Sequence, residues 1–139
     1  MGGMKKNRKG FTLVEVLVAL FILAIAFLGV GPLVIMTVKG NQVVREHINA
    51  RLLAERVTEY FRATDYEDPM LSNDADNADL SDTLTPDHST IDTIDNVVYR
   101  VLWNIAEDQP QVGLKTIQII IKWRNKSYTL VTLKGRYTL

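Results

Sequence analysis

The feature that most constrains this chain is an uncharged run from Val16 to Val38. Its 23 residues suffice to cross a hydrocarbon core of about 30 Å as a helix rising about 1.5 Å per residue. Lys5, Lys6, Arg8 and Lys9 precede it with no acid among them. A basic flank of this kind stays on the cytoplasmic side, so the chain is expected to span the bilayer once with its N-terminus inside and the rest outside. Glu15 stands at the start of the span, where a carboxylate is costly and marks a functional position by default.

The segment Gly10-Phe11-Thr12-Leu13-Val14-Glu15, after a short basic leader and before an apolar run, resembles the N-terminus of a type IV prepilin. The resemblance covers about residues 5–60. It implies that a prepilin peptidase cuts between Gly10 and Phe11 and that Phe11 is then methylated. It further implies that Glu15 pairs with the N-terminal amine of a neighbouring subunit during assembly. A local reading of the same residues stands beside this one. Thr12-x-x-Glu15 before an apolar run is a capping box, and a first-turn carboxylate offsets the helix dipole by about 0.3–1 kcal/mol. The two roles can alternate, with a cap in the free subunit and an ion-pair partner in a polymer.

Gly29, Gly31 and Pro32 lie inside the span. Proline removes a backbone donor and crowds the preceding turn, so a kink or local melting is expected there, against simple tolerance of these residues in membrane helices. From Lys39 to Arg62, Val44, Ile48, Leu52, Val57 and Phe61 recur at helical spacing, widened by Val43, Leu53 and Tyr60. Charged residues, Glu46 among them, fill the remainder. This amphipathic half is expected to lay its apolar stripe under a C-terminal sheet. One continuous helix from Thr12 to Arg62 would be roughly 75 Å long.

Residues 63–96 change character. Between Arg62 and Arg100 there are ten acids and no Lys or Arg. With Pro69, Pro86 and many Asn, Ser and Thr residues, the stretch reads as an irregular acidic connection. Asp74, Asp76 and Asp79 invite a calcium site, but Asp79 occupies the EF-hand glycine position and Thr85 the glutamate position. A non-EF calcium site on these three residues stays an alternative to a solvated loop. Residues 97–139 alternate apolar and polar side chains in three runs around Val97–Ile105, Ile117–Trp123 and Tyr128–Thr132, with a tight turn expected at Asn125-Lys126. Trp103 and Trp123 read as core residues.

The fold class is therefore α+β: a long N-terminal helix, half membrane-spanning and half amphipathic, packed against a small antiparallel β-meander. The expected divisions are a leader over 1–10, the span over 11–38, the amphipathic half over 39–62, the acidic region over 63–96 and the sheet over 97–139. The Trp-bearing strands look similar to the heads of PilV-like minor pilins and, less specifically, of GspI-type minor pseudopilins.

From Phe11 onward the chain carries 12 basic and 16 acidic side chains, which does not support a nucleic-acid footprint. Without cysteine, the head must be held by packing alone. There is no phosphate-binding glycine loop, paired-His metal motif or cysteine nucleophile. His47 reads as solvated, and His88-Ser89 gives no sign of triad geometry. The expectation is a non-enzymatic subunit without a cofactor. Its partners would be prepilin peptidase, other pilin or pseudopilin subunits, an inner-membrane assembly platform and the bilayer. A pseudopilin of a type II secretion system and a single-pass membrane-anchored binding module are the alternatives.

Overall fold

The computed structural model describes residues 10–136. Most of the expected leader, residues 1–9, and the last three residues of the expected sheet region lie outside the described residues. The chain forms two units, residues 1–42 and 43–139. One helix, α1, runs Leu13–Ala63 and contributes to both. It stays helical through Gly29, Gly31 and Pro32.

In the first unit every described residue is exposed. Phe21, Phe27 and Leu28 are among the bare apolar side chains. A helix apolar all round cannot satisfy that surface in water, and it is long and apolar enough to cross a membrane. The chain is membrane-anchored by this one span.

The second unit packs the rest of α1 against a four-stranded antiparallel sheet of order β1-β2-β3-β4. The strands are β1 (His88–Ile94), β2 (Val97–Glu107), β3 (Leu114–Trp123) and β4 (Lys126–Gly135). The sheet face toward α1 carries Val97, Tyr99, Val101, Trp103 and Ile105 from β2, and Ile117, Ile119, Ile121 and Trp123 from β3, all buried. This period-two pattern is the one expected for a half-covered strand.

The helix face against them differs from expectation. Val44, Ile48, Leu52 and Tyr60 are more than half exposed, and Val43 is 44% exposed. The buried positions are Glu46, Ala50, Leu53, Ala54, Thr58 and Phe61. The line Glu46–Ala50–Ala54–Thr58 steps by four residues, so it stays on one face. Its two alanines are fully buried in the core shared with the sheet. Of the expected stripe, Leu53, Val57 and Phe61 thus pack against the sheet, while Val43, Val44, Ile48, Leu52 and Tyr60 point away from it.

Glu46 becomes an acid at the helix–sheet junction, only 4% exposed. Arg124 Nη1 lies 3.0 Å from its Oε1 and Lys126 Nζ 4.0 Å from its Oε2, both reaching over from the β3–β4 turn. At the other end of the sheet, buried Lys134 donates to the carbonyls of Arg62, at 2.7 Å, and of Thr64. A cation is thereby placed at the C-terminal end of α1, where carbonyls lack intrahelical partners.

Two further differences concern the acidic stretch and the last turn. His88–Ile94, within the expected irregular connection, is a strand paired to β2 along its whole length. It is closed by Asp95 and Asn96, both at positive φ, 51° and 61°, the signature of a two-residue type I′ hairpin. The β3–β4 turn falls on Arg124-Asn125, one residue earlier than expected, with Trp123 paired to Lys126.

The acidic stretch is also anchored. Leu102, Asn104 and Ile120 point from the sheet's other face yet are 0–4% exposed. Residues 72–87 form their cover. The Asn104 amide nitrogen donates to the carbonyls of Asp79, Leu80 and Asp82 at 2.8–3.1 Å, and its oxygen accepts from Asp87 N at 3.0 Å. Beyond the start of β1, the open edge of β2 is met by side chains: Asp87 Oδ2 accepts from Ile105 N and Asn77 Oδ1 from Glu107 N. Asn104→Ala would orphan several of these groups at about 1–3 kcal/mol. In detergent-solubilised full-length protein, hydrogen exchange should speed up across residues 79–87 while the amides of β3 stay protected.

Candidate functional site

The N-terminal junction is built by local chemistry. Thr12 and Glu15 form a reciprocal cap: Glu15 N donates to Thr12 Oγ1 at 3.2 Å, while Thr12 N and Thr12 Oγ1 donate to Glu15 Oε2 at 2.8 and 3.0 Å. This is the capping-box geometry, and it accounts for the helix beginning at Leu13. Gly10 and Phe11 therefore lie outside the helix, exposed, with Phe11 at 88%. The Gly10–Phe11 bond thus lies on exposed backbone outside regular structure. Phe11, Glu15, Val16, Ala19, Leu20 and Leu23 together line a shallow apolar surface on this unit with one carboxylate at its edge.

With this geometry in place, one comparison speaks to the chain. Residues 5–31 match the family model described as the prokaryotic N-terminal methylation motif. The matched stretch contains Gly10, Phe11, Thr12 and Glu15. No curated protein and no solved structure matches the chain. The protein is thus a membrane-anchored chain bearing a prepilin-type N-terminal motif, of the kind typical of type IV pilin and pseudopilin proteins.

The acidic loop gathers a different trio from the expected one. Asp74, Asp79 and Asp87 each place an oxygen within 4.8 Å of the others. Asp76 stands outside that trio and accepts from Ala78 N through its Oδ1. Asp87 could be linked to Asp74 only once the fold showed it between the loop and β2. Desolvation first, and then the charges of Asp87, Asp74 and Asp76, raise the Asp79 carboxyl above its ordinary pKa. Such clusters are common on solvated loops, and no metal role is assigned to this one.

The histidines are structural. His88 opens β1 and stacks on Trp103, with ring centroids 5.4 Å apart and Nε2 2.8 Å from Ser72 O. Ser89, the next residue in the strand, points to the opposite sheet face, so the pair cannot share a reaction centre. His47 is exposed as expected, but its ring stands edge-on to Trp123 at 5.0 Å.

The raised Asp79 pKa makes this loop sensitive to pH. An acid with a folded pKa above its unfolded value costs stability when ionised, and the cost fades as pH falls through the folded pKa. Asp79→Asn is therefore expected to slow hydrogen exchange in the loop at neutral pH. The difference from the unaltered chain should shrink in acid, and an equal gain at every pH would contradict the assignment.

Proposed function

We propose that this protein is a minor subunit of a type IV pilus, held in the inner membrane by its single span with the head outside until it joins a filament. Prepilin peptidase cuts between Gly10 and Phe11, and the new N-terminal Phe11 is methylated. The span then leaves lipid and packs against the spans of other subunits, whose amines Glu15 recognises.

The observation that carries this reading is the coincidence at one junction of three features: an exposed Gly10–Phe11 bond, the Thr12–Glu15 cap, and the match to the methylation motif. The exposed helix stripe Val44–Ile48–Leu52 supports it, since a membrane does not cover that part of the helix and a neighbouring helix would. Helicity through Gly29–Pro32 leaves those residues as a proposed point of bending without melting. The minor pseudopilin of a type II secretion system shares this anchor and is separated by whether the protein occurs in sheared surface filaments.

Mass spectrometry of the membrane-extracted N-terminus tests the route. A start at N-methylated Phe11 is expected, and a start at Met1 overturns it. Gly10→Val should accumulate the uncut precursor. Glu15→Ala should insert at normal levels but be depleted from filaments at least tenfold; unchanged incorporation would remove the assembly role from Glu15.

A further inference from the structure

Among the described residues, both outer strands of the head sheet have an edge that pairs with no other strand. In strand order, β1 is paired only to β2, and β4 only to β3. The two-residue hairpins fix which backbone groups are free. Ile94 and Val97 flank one turn, and Trp123 and Lys126 flank the other, so each is a hydrogen-bonded pair, and bonded and unbonded positions alternate from there. Ser89 and Ile91 thus turn free N–H and C=O groups outward on β1, and Thr93 its C=O, its N–H being taken by Asp92 Oδ1 at 2.8 Å. Ser127, Thr129, Val131 and Leu133 do so on β4. All seven residues are exposed, and Ile91, Val131 and Leu133 are 66, 56 and 52% exposed.

The two edges differ in charge. No Lys or Arg occurs between Arg62 and Arg100, so β1 and its ends carry only Asp87, Asp92 and Asp95. No acid follows Asp108, so β4 and its flanks carry only cations: Lys134, which is buried, Arg124 and Lys126, which face Glu46, and Arg136, which faces Glu67. Edge strands are usually protected by inserted lysine, proline or a bulge. β1 has no Lys or Pro and pairs with β2 without a break in register. Beside it opens an apolar groove of about 370 Å³, lined by Tyr60, Met70, Ile91 and Trp103 among others.

We propose that β1 is a docking edge for β4 of a second copy of this chain, extending the sheet from one head into the next. The geometry is consistent at three levels. Direction comes first: β1 and β4 run oppositely within a four-stranded meander, so two copies of like orientation present β4 antiparallel to β1. Pleat comes second. The outward-bonding residues of both edges have their side chains on the same sheet face, the one opposite α1, so the joined sheet stays continuous. Charge comes third. Setting Ile91 opposite Val131 places Asp95 beside Lys126 at one end and Asp87 beside Arg136 at the other, with two apolar side chains adjacent in the middle. The contact joins unlike surfaces, so it propagates head to tail and does not close as a two-fold dimer.

The absence of cysteine makes the proposal directly testable in the full-length, membrane-embedded protein. Ile91→Cys and Val131→Cys, both at exposed sites, are made in differently tagged chains, co-expressed and oxidised in isolated membranes. A hydrogen-bonded antiparallel pair has Cα atoms about 5.5 Å apart, within disulfide reach. The expected result is a mixed dimer at least fivefold more abundant than the dimer of either variant alone. Moving the second cysteine to Leu130, whose side chain lies on the other face, should abolish it. Equal self-crosslinking of Ile91→Cys would overturn the proposal in favour of two-fold pairing. Adducts only with another protein, or no crosslink at all, would overturn it outright.

Discussion

The burial of Ala50 and Ala54 of α1 in the core beneath the sheet is the constraint on which the head depends. Both alanines are fully buried. Their size sets the gap that Leu53, Phe61, Tyr99 and the two tryptophans fill. Packing at interior density leaves no room for a larger side chain on that line without displacing a strand. Charges fix the same helix at its two ends within this unit. Glu46 is met by the β3–β4 turn, and the C-terminal carbonyls by Lys134. The head has no disulfide, and these polar ties do part of the work that a covalent link does in small disulfide-bonded domains.

The acidic stretch obeys a second constraint, the demand of buried polar groups for partners. Asn104 is wholly buried on the sheet face away from α1. Its amide can be satisfied there only by a backbone folded over it, and residues 79–87 supply that backbone. One side chain thus turns a segment with little apolar content into a third layer. The same segment finishes the job of β1 by covering the open edge of β2 where β1 has ended.

Much of this was legible in the residues. The span, the capping box, the helix-plus-meander architecture and the burial of Trp103 and Trp123 all follow from patterns of charge and period. The choice of helix face followed only in part: Leu53, Val57 and Phe61 pack as expected, but Val44, Ile48 and Leu52 have the composition of a core stripe, whereas Ala50, Ala54 and Glu46 do not advertise one. What selects the buried face is the fit of backbone to sheet, a tertiary property absent from the local pattern. β1 was hidden by its weak apolar alternation, although Asp95-Asn96 between Ile94 and Val97 is a hairpin signal that could have exposed it. The role of Asp87 had no local signal, since its partners at Asp74 and Ile105 are brought together only by the fold.

The Thr12–Glu15 cap bears on how easily a subunit can change surroundings. Before any neighbour arrives, Glu15 already holds donors from Thr12. In the assembly reading, a neighbour's amine would enter by exchange, one set of donors displacing another, and the carboxylate need never stand bare in hydrocarbon. An exchange of this kind can run in either direction. A subunit drawn back out of a filament would recover its own cap at once, making its anchor as fit for return to the bilayer as for departure from it.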